Sequence, residues 1–158
     1  MSRLSADRVA VRGTATGHDH LFVYGTLMVP RIFAAVCGTV RPQVLAELAG
    51  HARYRVRGAV FPGLVPEAGA RTAGCLVSGI DAALWQRLDA FEGDLYERCE
   101  VKVRLLDGRE CAGMTYVVTA AGRSALTRQR WSLAAFERRH LEAYLARWTM
   151  PPAATITR

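Results

Sequence analysis

Apolar residues in this chain fall into short runs separated by glycine, proline and polar turns. His20-Leu-Phe-Val-Tyr24 is an apolar strand stopped by Gly25. Pro30 is placed for a helix start, with Ile32, Phe33 and Val36 on one face before Gly38 ends the helix. Val44 to Val56 alternates loosely and predicts one long or bent strand. Ala59 to Pro66, holding Phe61-Pro62-Gly63-Leu64, predicts a turn or edge segment, and Gly74 to Ile80 a strand. Asp81 is suited to cap a helix carrying Leu84, Trp85 and Leu88 on one face. Glu100–Leu105 and Ala112–Val118 predict two strands joined through Asp107-Gly108, a hairpin signal. Ser132 predicts the cap of one last helix with Leu133, Phe136, His140, Leu141, Tyr144 and Trp148 at helical spacing.

Strands outnumber helices and no long βαβ alternation occurs. The pattern predicts an α+β fold with an antiparallel or mixed sheet, not a doubly wound one. That many strands also suits a sheet that curls towards a barrel. The expected organisation is a polar arm over residues 1–19, one domain over 20–148 without internal repeats, and a short tail over 149–158 that contains Pro151-Pro152.

Composition narrows the classes. A chain of 158 residues, 51% hydrophobic and 22% charged, can bury a core without disulfides or a structural metal. No apolar run approaches the roughly 18 residues of a membrane span. Met1 to His20 lacks the apolar stretch of a secretory signal, so a soluble cytoplasmic protein is expected. Cys37, Cys75, Cys99 and Cys111 form no CxxC pair, so free buried thiols are expected and no metal site is predicted. His18 and His20 flank Asp19, a weak metal grouping or simply the solvated entry to a strand. The net charge is +7, and Lys102 is the only lysine. The arginines are spread from Arg3 to Arg158, with no basic block longer than Arg138-Arg139. That spread argues against a nucleic-acid partner, and nothing in the chain sets an oligomeric state.

Two segments can carry chemistry. In Phe22-Val-Tyr-Gly-Thr-Leu27 a strand ends in glycine and turns towards a helix. Such a turn exposes consecutive backbone N–H groups that suit a carboxylate or an oxyanion. No Gly-Lys-Ser/Thr follows, so it is not a phosphate loop. In Leu88-Asp-Ala-Phe-Glu-Gly-Asp-Leu-Tyr-Glu-Arg98, Glu92 falls at a helix end with Leu88, Leu95 and Tyr96 near it in sequence. A carboxyl held among apolar groups has a raised pKa and can act as base and then acid near neutrality. The other reading is a surface glutamate at a helix terminus. No Cys-His or Ser-His-Asp set is legible. His51 and His140, with Trp85, Trp131 and Trp148, read as packing or surface residues.

Taken in order, Phe-Val-Tyr-Gly-Thr-Leu, Phe-Pro-Gly-Leu and Leu-Asp-Ala-Phe-Glu-Gly-Asp-Leu-Tyr-Glu-Arg resemble the γ-glutamylcyclotransferase-like superfamily, in its AIG2-like and γ-glutamylamine cyclotransferase branch. The Tyr116 strand and the terminal Trp-Ser-Leu…Phe-Glu…His-Leu segment are also similar to that branch. The resemblance runs from about His20 to Trp148. It implies a small mixed β-barrel flanked by helices. It also implies a substrate loop of Tyr24, Gly25, Thr26 and Leu27, Glu92 as the catalytic acid/base, and Tyr96, Arg98 and Tyr116 around the pocket. Val117-Val118 departs from the pattern, which expects an aromatic soon after Tyr116.

The resemblance further implies release of an amine from a γ-glutamyl amide with closure to 5-oxoproline, without metal or cofactor. The small-molecule substrate supplies its own nucleophile, in keeping with the missing triad. The alternatives are a non-catalytic γ-glutamyl-binding module and a γ-glutamyl amide hydrolase.

Overall fold

The computed structural model describes residues 18–149, so residues 1–17 of the expected arm (1–19) and residues 150–158 of the expected tail (149–158) lie outside them. Strand β1 (His20–Val23) leads through a single 3-10 turn (Thr26–Met28) into helix α1 (Pro30–Cys37). Strands β2 (Gln43–Val56) and β3 (Pro62–Ser78) form a long hairpin. Helix α2 (Ala82–Glu92) follows, then β4 (Tyr96–Leu105), β5 (Glu110–Val118), β6 (Leu126–Arg130), and helices α3 (Leu133–Arg139) and α4 (Leu141–Thr149).

The sheet closes on itself. Neighbours run β3-β1-β5-β4-β2, and β2 pairs back onto β3, making a five-stranded barrel; β6 attaches to the outer half of β2. Closure between β2 and β4 is short, with Ala46 opposite Leu105 and Glu47 opposite Arg104. β1 runs antiparallel to β3 and parallel to β5, so the barrel is mixed.

Two cores follow from the period of two along the strands. Phe22, Tyr24, Leu48, Leu64, Leu76, Val103 and Val117 fill the barrel interior. Leu21, Val23, Val77 and Tyr116 point the other way, onto a helical layer that includes Ile32, Phe33, Leu84, Leu88, Phe136 and Leu145. β1 is covered on both sides, which is why its sequence reads as an unbroken apolar run rather than an alternating one.

Three expectations are corrected. The predicted edge segment at 59–66 and strand at 74–80 are parts of the single strand β3. Residues 67–70 bulge out of its pairing with β2, between Pro66 opposite His51 and Arg71 opposite Ala49, and this polar, glycine-containing step looked like a turn. The single last helix is two helices. Ser132 does cap the first, accepting from the Ala135 N–H at 3.2 Å, but His140 (φ −129°) breaks the run. The period survived the break because hydrogen bonds continue across it, His140 N to Phe136 O and Tyr144 N to His140 O. Strand β6 was not foreseen: Leu126-Thr-Arg-Gln-Arg130 has one apolar residue and only edge pairing.

The Asp81 cap is present, with Oδ1 accepting from the Leu84 N–H at 2.9 Å. His18 and Asp19 are tied down through their carbonyls, which accept from Trp85 Nε1 and the Ile80 N–H. Cys37 and Cys75 are buried, Cys99 and Cys111 half-buried, and all four thiols are free. Among the described residues no three His, Cys, Asp or Glu side chains gather as metal ligands, and no helix is long and apolar enough to cross a membrane.

Candidate active site

A cavity of about 220 Å³ opens where the end of β1 meets helices α2 and α4. Residues of both cores line it, Phe22 and Tyr24 from the barrel side and Leu21, Val23 and Tyr116 from the helical side. Its wall contains Tyr24, Gly25, Thr26, Leu27, Glu92, Tyr96 and Tyr116, residues drawn from the β1 turn, α2, β4 and β5. Of the residues singled out in the sequence, Arg98 alone stands outside this wall. Its guanidinium lies 3.5 Å from Asp89 Oδ2 and 4.4 Å from the centre of the Trp85 ring.

The turn after β1 is built by close approach. A Cβ on Gly25 would come within 2.9 Å of Pro62 Cγ, so only glycine lets the β1 end lie against the start of β3. The 3-10 turn then uses the N–H groups of Met28 and Val29 internally, on the carbonyls of Gly25 and Thr26. The N–H groups of Gly25, Thr26 and Leu27 carry no hydrogen bond among the described residues, at the very point where the chain lines the cavity. Such a set of adjacent free donors binds an anion.

The turn is braced from outside by Arg53, which sequence reading missed. Its Nη1 donates to the Tyr24 carbonyl at 2.6 Å and to the Ala73 carbonyl at 2.9 Å, and its guanidinium lies over the Trp131 ring. Nothing in the alternating pattern of β2 marks this arginine, since its partners come from β1 and β3. Gln43 Nε2 adds a bond to the Leu27 carbonyl at 2.9 Å.

Glu92 ends α2 because Gly93 takes φ +73°, which L residues rarely adopt, and turns the chain towards β4. Glu92 is half-buried on the cavity wall. Burial, helped by the negative Asp89 one helical turn earlier, raises its pKa from 4.5 to about 8. Near neutrality the group is poised between its two protonation states.

The tyrosines have distinct attachments. Tyr24 donates to the Tyr116 carbonyl at 2.6 Å, Tyr96 to the Pro62 carbonyl at 2.6 Å, and Tyr116 to Asp89 Oδ1 at 2.6 Å. Burial, first of all, holds the pKa of each phenol above its ordinary value, and the negative Glu92 adds to this in all three, so they serve as hydrogen-bonding groups. Arg98 thus connects to the cavity only indirectly, through Asp89 to Tyr116.

The far wall comes from α4. Tyr144 packs against Phe136, ring centres 5.5 Å apart, and against Trp148 at 6.4 Å. Trp148, at 41% exposure, packs on Phe91 with ring centres 5.3 Å apart, and Arg147 stands beside them. Val117 and Val118 are buried in β5, away from the cavity, so the aromatic surface missing after Tyr116 is supplied by Phe61, Phe91 and Trp148. Helical spacing alone marked Tyr144 and Trp148 as packing residues. Their place on the cavity depends on where α4 docks.

Comparison with known proteins points one way. The family model described as "Gamma-glutamyl cyclotransferase, AIG2-like" matches residues 21–133. AIG2-like protein C of Arabidopsis thaliana is 36% identical over 90 residues, covering 57% of this chain and 52% of that protein. Protein AIG2 C of the same plant is 31% identical over 91 residues, covering 58% of this chain and 55% of that protein, so the chain spans about half the length of these curated relatives. AIG2-like protein D is matched over more of its length, 29% identical across 84% of this chain and 88% of that protein. A solution structure from Arabidopsis thaliana superimposes with a TM-score of 0.63 at 25% identity, covering 83% of this chain and 79% of the other. A γ-glutamyl cyclotransferase structure does so with a TM-score of 0.58 at 17% identity, over 63% of this chain and 66% of the other, a likeness of fold alone.

Proposed function

This chain belongs to the AIG2-like γ-glutamyl cyclotransferase family, and on that premise we propose that it releases an amine from a γ-glutamyl amide and closes the glutamyl part to 5-oxoproline. The observation that carries the reading is Glu92, a carboxyl with pKa about 8, on the same cavity wall as the free N–H groups of Gly25, Thr26 and Leu27.

The turn holds the substrate's α-carboxylate, and the cavity binds the glutamyl chain curled. The α-nitrogen attacks the γ-carbonyl carbon while Glu92 takes its proton. Glu92 then returns that proton to the departing nitrogen as the amide C–N bond breaks. Binding the curled form contributes most of the rate, since well-oriented intramolecular attack reaches effective molarities of ~10⁵ M or more. The phenolic protons of Tyr24, Tyr96 and Tyr116 are already donated within the protein, so the forming oxyanion relies on backbone N–H groups. No serine or cysteine nucleophile is needed, because the attacking atom is the substrate's own.

Cyclisation and hydrolysis release the same amine, so water labelled with ¹⁸O separates them. Cyclisation is expected to give 5-oxoproline with no label above the no-enzyme control. Glutamate carrying one labelled γ-oxygen as the first product would make the protein a hydrolase on the same fold.

The proton shuttle predicts a pH limb. Glu92 accepts a proton only when ionised, so kcat/KM should rise with pH to a midpoint near 8. Tyr24, Tyr96, Tyr116 and Tyr144 face it as neutral phenols, which leaves Asp89 as the charged neighbour. Asp89→Asn removes a negative charge and should move the midpoint down. An upward or absent shift in the pH profile of that variant would detach Glu92 from the limb.

A further inference from the structure

We infer that the chain carries a second binding site, separate from the cavity at Glu92, where Arg55, Arg130 and Arg139 hold a small organic phosphate monoester over an apolar floor. The inference goes beyond the cyclotransferase reading and does not depend on it.

The site is a cavity of about 360 Å³ where β6 and α3 meet the outer half of β2. It shares no lining residue with the cavity at Glu92: Val60 lines this one, Phe61 and Pro62 the other. Its floor is apolar, made by the buried Trp131 and Phe136 with Val60 and Ala135 beside them. The floor is also fixed. Trp131 Nε1 donates to the Val60 carbonyl at 2.8 Å, and the Trp131 and Phe136 rings pack with centres 5.8 Å apart.

The rim is rich in donors and holds no carboxyl. Its three guanidiniums come from three elements, Arg55 from β2, Arg130 from β6 and Arg139 from α3. Arg130 is partly neutralised, lying 3.0 Å from Glu67 Oε2 and over the Tyr54 ring. Arg55 gives one N–H to the neutral Gln129 Oε1 at 3.0 Å, which leaves its charge uncompensated and the Gln129 amide NH2 free to donate. The Arg139 side chain makes no ion pair or hydrogen bond among the described residues. The Ser132 oxygen accepts from the Ala135 N–H, so its own proton is still available. Like charges gathered on one wall repel, and a bound anion relieves that repulsion. A carboxylate is matched by a single guanidinium fork. Guanidiniums arriving from separate elements suit the several oxygens and double charge of a phosphate monoester. The apolar floor then buries the ester group, which inorganic phosphate lacks.

The experiment is calorimetric titration at fixed ionic strength and about pH 7.5, where a phosphate monoester is a dianion. Phenyl phosphate is the probe, compared with inorganic phosphate, benzoate and a short oligothymidylate. Phenyl phosphate is expected to bind with a sub-millimolar Kd, several-fold tighter than inorganic phosphate or benzoate. Arg139→Gln and Arg55→Gln should each weaken it about five- to tenfold, the loss of a charge-assisted hydrogen bond at an exposed site. Arg138→Gln removes the same charge from the next residue, off the wall, and Arg147→Gln removes it from the Glu92 cavity. Both controls should keep the affinity within about twofold. Circular dichroism and the melting temperature check that the variants are folded. No binding of phenyl phosphate up to about 10 mM overturns the inference. So does a loss in either control as large as in Arg139→Gln, which would mean a diffuse effect of net charge or binding at the other cavity. Equal affinity for benzoate or inorganic phosphate removes the monoester as the ligand. Tighter binding of the oligothymidylate, lost in Arg139→Gln and Arg55→Gln, would give the cavity to a nucleic-acid backbone instead.

Discussion

Replacing Glu92 by glutamine is expected to lower kcat by at least ~10²-fold while the barrel remains folded. The amide is nearly the same shape but cannot accept a proton and return it. The buried carboxyl also has a stability signature that separates lost chemistry from lost structure. Its folded-state pKa, about 8, lies above the ordinary 4.5 because burial penalises the charge. The unfolded chain therefore releases this proton first. Stability contributed by the neutral form is complete below the ordinary value and is lost progressively as pH rises to about 8. Glu92→Gln never ionises, so its melting temperature should exceed that of the wild type at pH 9 and match it at pH 4. An inactive but alkali-stabilised variant is the expected pair of results. Near-wild-type turnover in a clean preparation would remove Glu92 from the mechanism. A lower melting temperature at pH 9 would mean that the carboxylate is favourably paired rather than merely buried.

Arg53→Met should be the most damaging substitution outside the cavity wall. Arg53 lies on β2 but binds the last carbonyl of the β1 segment, at Tyr24, and the Ala73 carbonyl of β3, while its planar head covers Trp131. Burial depresses its pKa, so the folded protein already opposes the charge; what justifies it is the two short bonds. Methionine fills much of the volume and leaves both carbonyls without this donor. A loss of about 2–3 kcal/mol is expected, as for buried hydrogen bonds to a charged group. In a domain of this size that lowers the melting temperature by roughly 5–10 °C. Because the Tyr24 carbonyl immediately precedes the Gly25 turn, KM should also rise several-fold with a smaller change in kcat. A melting temperature within about 2 °C of the wild type, with KM unchanged, would show that the turn holds its shape without Arg53.

The chain's own pattern determined the local elements. An unbroken apolar run stopped by Gly25, the proline-led α1, the Asp81 and Ser132 caps and the Asp107-Gly108 hairpin are all decided by neighbours in sequence, through backbone sterics and short-range hydrogen bonds. The motif order around Gly25, Glu92 and Tyr116 also carried the family. Tertiary structure decided the rest. β3 reads as two pieces because its bulge at 67–70 resembles a turn until β2 is placed opposite. Whether Glu92 is a surface carboxylate or a buried one depends on helix α4 and strands β1 and β4 closing over the end of α2, and no local pattern contains that burial. Arg53, Tyr144 and Arg147 were invisible as site residues for the same reason: a side chain's electrostatic partners are set by distance in space, while periodicity records only which face of its own element it occupies.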